Sequence, residues 1–207
     1  DSDIKRRKKK GLVMGDVQSG KTANYLALMN MAADYGYKVI VLLSGLTESL
    51  RIQTQKRVDA GFVGAVSDTI GSANINFIGV GEVFNLYYAI PMTNQIKDFN
   101  KNSLNNNSSA NDYNKPLIFV VKKVKSVLEQ MSTWLKPDQI NISSKNILII
   151  DDESDNASIN TKSAEDPSII NKLIRNLFNN FPIATYIGFT ATPFANIFID
   201  PYDDEAN

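Results

Sequence analysis

The sequence predicts an α/β fold, a mainly parallel, doubly wound sheet with helices on both faces. Three observations point there. Short apolar runs recur at 11–14, 38–43, 117–121, 146–150 and 184–189; near-continuous runs of this kind mark strands buried on both faces of a parallel sheet. Segments with helical spacing separate them, giving the strand–helix alternation of such a sheet. The first helix closes at Gly36 with so short a turn into the next run that the strand–helix–strand unit reads as a right-handed crossover.

Composition sets the outer bounds. The 207 residues suffice for one sizeable domain with an appendage. Hydrophobic content of 43% and charged content of 21% exclude wholesale disorder. Lys+Arg and Asp+Glu are both 22, so any contact with nucleic acid has to be local. There is no cysteine, hence no disulfide framework and no thiolate metal site. There is no histidine to act as ligand, general base or pH switch. No apolar run approaches a membrane span and no signal peptide precedes the first strand, so no membrane partner and a cytoplasmic address are expected. A chain that opens at Asp1 reads as a processed protein or an excised segment.

The domain plan is a basic segment over 1–10, one lobe over 11–200 with an insertion at 94–114, and a tail over 201–207. Lys5-Arg6-Arg7-Lys8-Lys9-Lys10 is either a solvated segment or a phosphate-contacting patch. Ala23, Leu26, Ala27, Met29, Met31 and Ala32 repeat at helical spacing through Tyr35. Ser44-Gly45-Leu46-Thr47 ends the second strand, and 48–58 reads as a helix whose polar face carries Arg51, Gln53, Gln55, Lys56 and Arg57. Loops at the carboxyl ends of parallel strands form the binding rim of an open sheet. A third strand is expected at 76–80. Between 94 and 114, eight asparagines and three serines mark a loop or disordered insertion without chemistry of its own. The strand at 117–121 leads into a helix over 122–135 with Val124, Val127, Leu128 and Met131 on one face, and Trp134 reads as a packing residue. The strand at 146–150, a helix over 168–178 and the strand at 184–189 complete the alternation.

The chemistry is carried by strand ends. Gly15-Asp16-Val17-Gln18-Ser19-Gly20-Lys21-Thr22 fits G-x-x-x-x-G-K-[ST] at every fixed position, between an apolar strand and a helix. Such a loop curls so that the N–H groups of Gly15, Gln18, Ser19 and Gly20 form a concave anion site at a helix N-terminus. Lys21 is expected to reach the β/γ-phosphates of ATP and the Thr22 hydroxyl to hold Mg²⁺. Asp151-Asp152-Glu153-Ser154-Asp155 follows another apolar strand, where one carboxylate can reach the Mg²⁺ sphere and a second can orient the attacking water. Asp152 is assigned to the metal and Glu153 to the catalytic base. Asp151 is the competing frame, because three adjacent acids leave the register open by one.

Residues 15–22, Asp152-Glu153-Ser154-Asp155 and Thr190-Ala191-Thr192 resemble motifs I, II and III of superfamily two helicases and translocases, in that order. The resemblance implies a RecA-like P-loop ATPase lobe that acts on DNA. It implies that Asp155 links the nucleotide site to motif III, and that Thr190 and Thr192 couple hydrolysis to movement between lobes. Ser44, Gly45 and Arg51 match the region of motif Ia, which touches the nucleic-acid backbone. A narrower likeness covers 11–25, 50–55, 59–64 and 188–196: these stretches resemble a bacterial family described as endonucleases and carrying the Z-one domain. Its members look like restriction or defence proteins that join a helicase-type ATPase to a further domain.

Several expectations follow. A second RecA-like lobe with its arginine finger and a nuclease region are expected outside this chain. The chain by itself is then expected to bind ATP–Mg²⁺ and hydrolyse it slowly. Only fourteen residues precede Gly15, so no complete upstream adenine-reading motif is expected. The only acid two residues ahead of a lysine that could suggest a nuclease is Asp3, before Lys5. The alternatives are a P-loop NTPase switch without nucleic acid, and a nucleotide- or DNA-binding module without translocation.

Overall fold

The computed structural model describes residues 7–15, 20–104, 110–136, 146–154 and 167–191. Its main elements are β1 (Arg7–Met14), α1 (Lys21–Asp34), β2 (Val39–Ser44), α2 (Glu48–Val58), β3 (Ile90–Pro91), β4 (Leu117–Lys122), α3 (Lys125–Trp134), β5 (Asn146–Asp152), α4 (Pro167–Asn180) and β6 (Ile183–Thr190). The strands form one six-stranded sheet in the order β1-β6-β5-β2-β4-β3, with every pairing parallel.

The chain travels from β1 across to β2, goes out to the far edge, and returns through β4, β5 and β6. Right-handed crossovers place the helices of the outward and return journeys on opposite faces. The packing shows this division. Tyr25 and Met29 of α1 and Val58 of α2 share a core with Ile40, Leu42, Ile118, Val120, Leu148, Ile150 and Phe189. Val127, Leu128 and Met131 of α3 and Ile170, Ile174 and Leu177 of α4 cover Val39, Val41, Leu43, Phe119, Ile149 and Tyr186. The fold is thus a doubly wound, RecA-like α/β lobe. In β2 all six residues are buried, so its apolar run serves two cores at once.

Helix ends follow local chemistry. The Thr47 side chain accepts a hydrogen bond from the Leu50 N–H and starts α2. Glu48 in its first turn and Lys56 and Arg57 in its last complement the helix dipole. Gly36 turns the chain after α1 with φ 89°.

Two expectations change. Residues 76–80 are not a sheet strand: Phe77 makes an isolated antiparallel bridge to Ala65, and Gly79–Gly81 is a 3₁₀ turn. A Cβ at Gly81 would collide with the Gly64 carbonyl, so this stretch is pressed against neighbouring backbone instead of pleating into a sheet. The edge strand is β3, and its Pro91 is tolerated because only one neighbour, β4, hydrogen-bonds to it. At the other edge, β1 begins at Arg7, so four of the six consecutive cations lie in a strand. Cations on an edge strand discourage pairing with another sheet. The Lys8 amine donates to the carbonyls of Phe178 and Phe181 at the C-terminal end of α4, where positive charge is favourable.

The insertion is partly built into the core. Phe99 packs edge-on against Phe119 and tilts on Trp134 at 6.0 Å, and Trp134 is buried as a packing residue.

Candidate functional site

β1 delivers the chain to Gly15, whose N–H donates to the Thr190 carbonyl at the end of β6 (3.1 Å). The P-loop therefore opens tied to the strand that carries the motif III likeness. Gly20 has left-handed backbone, φ 80°, and α1 starts at the next residue. A Cβ there would meet nothing within 4 Å, so it is the conformation and not the space that requires glycine. No acidic residue occupies the first turn of α1. Asp16, Val17, Gln18 and Ser19 lie outside the described residues.

Between β1 and β2 the sheet holds β6 and β5, so α1 crosses both and packs on β5. Lys21 and Thr22 thereby share a neighbourhood with Asp152, the last residue of β5. Burial first, and then the adjacent Glu153 carboxylate, push the Asp152 carboxyl above the usual aspartate range, while Lys123 and Lys21 pull it down. Tyr25 lies one turn beyond Thr22 and is fully buried. Burial raises the pKa of its hydroxyl, Thr22 and Arg57 beside it oppose that rise, and the Asp152 charge adds to it. The Thr22 hydroxyl accepts from Arg57 Nη1 at 3.2 Å.

Asp151 faces the other way. Strand alternation turns it toward α3 and α4, where Lys123 Nζ lies 2.6 Å from Oδ1 and the Tyr186 hydroxyl donates to Oδ2 at 2.8 Å. Oδ1 is engaged as an ion pair and Oδ2 as a hydrogen-bond acceptor. Burial, then the Asp151 charge, drives the Tyr186 phenol far above its ordinary range. Glu153 has left-handed backbone, φ 57°, uncommon for a non-glycine. Its carbonyl accepts from Lys123 Nζ at 2.7 Å, and the Ser154 N–H donates to the Phe189 carbonyl at 2.9 Å. The Glu153 carboxylate leans over Gly45, where an added Cβ would lie 3.2 Å from Oε2.

The candidates for nucleic-acid contact are placed differently. The Ser44 hydroxyl is buried and donates to the Val121 carbonyl at 3.0 Å. The Arg51 side chain is 0% exposed and donates to Glu48 and to the carbonyls of Asn94 and Gln95. Its hydrogen bond holds the Glu48 carboxyl below the usual range. In this conformation Arg51 clamps the insertion to α2 and presents no donor to solvent, and Gly45 is covered as well. Thr190 is buried at the end of β6; Asp155 and Thr192 lie outside the described residues. Sequence reasoning missed Lys123 and Tyr186. The available signal was the pair Lys122-Lys123 at the end of an apolar strand, since adjacent residues face opposite sides of a sheet.

The donor set fits a nucleotide with magnesium. Among the described residues no group of three acids forms a cation cage by itself. Magnesium in such sites is held by one or two protein oxygens, with phosphates and water completing its octahedron. A half-buried Asp152 within the field of Lys21, which stands at the start of the helix that also carries the Thr22 hydroxyl, offers that arrangement. The raised carboxyl of Asp152, next to a second carboxylate, is the electrostatic state that a divalent cation relieves.

No helix among the described residues is long and apolar enough to cross a membrane. No curated protein and no solved structure matches the chain. Residues 2–195 match the family described as Type III restriction enzyme, res subunit. That match spans the P-loop, the acidic end of β5 and the Thr190 end of β6, and the chain belongs to this family of restriction-type enzymes with a helicase-like P-loop ATPase lobe.

Proposed function

We propose that the chain is the ATP-binding first motor lobe of a helicase- or translocase-like ATPase that acts on DNA, within a restriction or defence endonuclease of the Z-one type. The observation that carries this reading is the sorting at the end of β5: Asp152 shares a face with Lys21 and Thr22, while Asp151 is sealed by Lys123 and Tyr186.

The roles are assigned from the sequence motifs, supported for the described residues by the face each occupies. Lys21 and the N–H groups of Gly15, Gln18, Ser19 and Gly20 hold the phosphates of ATP. Thr22 and Asp152 would hold Mg²⁺, which would offset the charge of the phosphates. Glu153 accepts the proton of the attacking water. Thr190, joined through its carbonyl to Gly15, relays the state of the P-loop to the end of β6, with Thr192 and Asp155 as partners in that coupling. A second RecA-like lobe and a nuclease region are the partners of the full protein, which works in the cytoplasm, and the isolated chain turns over slowly. DNA contact by Ser44, Gly45 and Arg51 requires the first turn of α2 to loosen from the insertion. Their burial favours one second reading, a nucleotide switch without DNA. Turnover stimulated by DNA in the full protein selects the motor, and unstimulated turnover selects the switch.

Calorimetric titration with ATP and Mg²⁺ tests the site. Heat is expected from the native chain and none from Lys21→Ala. Glu153→Gln should keep binding and lose turnover by about 10²–10⁴-fold in the full protein. A folded native chain that gives no heat overturns the reading.

A further inference from the structure

We infer that Lys123 is a positioning residue for the acidic turn, aiming Asp152 and Glu153 through its hold on the Asp151 carboxylate and the Glu153 main-chain carbonyl. The inference rests on the nucleotide reading above and deepens it. Lys123 follows β4 directly, and β2 lies between β4 and β5 in the sheet. Its side chain therefore crosses the end of β2, where Ser44 and Gly45 are small, to reach the end of β5. The ammonium is almost entirely enclosed, at 2% side-chain exposure, against 1% for Asp151.

A buried ion pair is weak evidence for stability, because desolvating both charges offsets their attraction. What this pair supplies is direction. Asp151 is held from its other oxygen by Tyr186, so the ammonium has a fixed anchor. From that anchor it reaches the Glu153 carbonyl at 2.7 Å. The other end of the same peptide group is fixed by the Ser154 N–H on the Phe189 carbonyl. Two bonds, one to each end of the peptide group that follows Glu153, hold it in a left-handed conformation uncommon for a non-glycine residue. Without the ammonium the Glu153 carbonyl loses its donor, the turn relaxes, and the two carboxylates lose their aim. Lys21 and Thr22 stand on α1, a separate element, and keep their places.

Titrating a non-hydrolysable ATP analogue, with and without Mg²⁺, into the native chain, Lys123→Met and Lys123→Met/Asp151→Asn tests this. The double variant leaves no unpaired charge and retains an acceptor for Tyr186, so it decides the matter even if the single variant does not fold. Without Mg²⁺ all folded forms should bind alike. With Mg²⁺ the native chain should tighten, and both variants should lose about 10–100-fold of that tightening, the usual scale for groups that orient metal ligands. If the double variant tightens as the native chain does, Lys123 is only a charge partner for Asp151 and the inference alone is overturned. A native chain that binds the analogue but gains nothing from Mg²⁺, or does not bind it, overturns the nucleotide reading and the inference with it.

Discussion

The two faces of this sheet treat neighbouring charges in opposite ways. On the α3/α4 face, Lys123 and Asp151 meet at 2.6 Å with side-chain exposures of 2% and 1%. On the α1/α2 face, Lys122 meets Glu48 at the same distance, but the exposures are 24% and 44%. Asp152, one residue from Asp151, points to this second face and shares it with Lys21. A period of two along each strand separates these residues completely. A charge on the closed face is satisfied once and permanently within the fold. On the open face, Asp152 at the strand end is only partly buried and lies within reach of Lys21. Adjacent acids at one strand end are therefore placed differently, one sealed within the fold and one turned to the face of Lys21.

The sharpest way to break that contrast is to remove each acid in turn. Asp151→Ala strands a buried ammonium and should cost about 3–5 kcal/mol of stability. Asp152→Ala removes a carboxylate whose ionised form the fold disfavours through burial and the neighbouring Glu153 charge. Its stability should equal or slightly exceed that of the native chain. Urea denaturation of the three proteins is the measurement, and equal losses at both positions would show that the faces are not distinct.

Much of the architecture was legible because both cores are apolar. The runs at 38–43 and 117–121 correspond to β2 and β4 within a residue, and Thr47 marked the start of α2 through its capping chemistry. The same two-sided burial hid the direction of the acids. Ile147, Ile149 and Asp151 alternate with Leu148, Ile150 and Asp152, and when both sets are apolar no pattern tells one face from the other. The outer half of β1 was illegible for the opposite reason. As an edge strand bonded to one neighbour it can be built from Arg7, Lys8, Lys9 and Lys10, which carry no hydropathic signal. Residues 76–80 looked like a strand because the close approach of Gly79 and Gly81 to the 60–64 backbone is a tertiary fact. Lys123 and Asp151 lie 28 residues apart, with nothing local to join them. The P-loop motif stood out in the sequence because its parts are local: glycines, cation and hydroxyl lie within eight consecutive residues.

A smaller change probes the boundary between the faces. Gly45 follows β2 directly, and a Cβ there would stand 2.8 Å from Leu50 Cδ1 and 3.2 Å from Glu153 Oε2. Gly45→Ala should destabilise the chain by about 1–3 kcal/mol through overpacking. It should also push the Glu153 carboxylate aside, slowing turnover in the full protein while Mg²⁺-dependent nucleotide affinity holds. Stability curves together with a split between turnover and affinity check this. Unchanged turnover would mean that the carboxylate has room to lean elsewhere.

The smallest expected effect belongs to the open face. The Glu48 carboxyl is held below its ordinary range, first by the hydrogen bond from Arg51 and also by Lys122, against a burial penalty. A carboxyl with a lowered folded-state pKa contributes stability that is present above its unfolded value, about 4.3, and is lost as pH falls through the folded value. Exposure and solvent screening limit the contribution to about 1 kcal/mol or less. Asp59 and Asp98, whose carboxyls burial raises, act with the opposite sign, so the whole-protein curve does not isolate Glu48. Subtracting the curve of Glu48→Gln from that of the native chain does. The difference should favour the native chain near pH 7, shrink as pH drops below about 4.3, and diminish in high salt. A difference that grew toward acid would mean that Glu48 is held by its burial and not by Arg51 and Lys122, and the open face would then resemble the closed one.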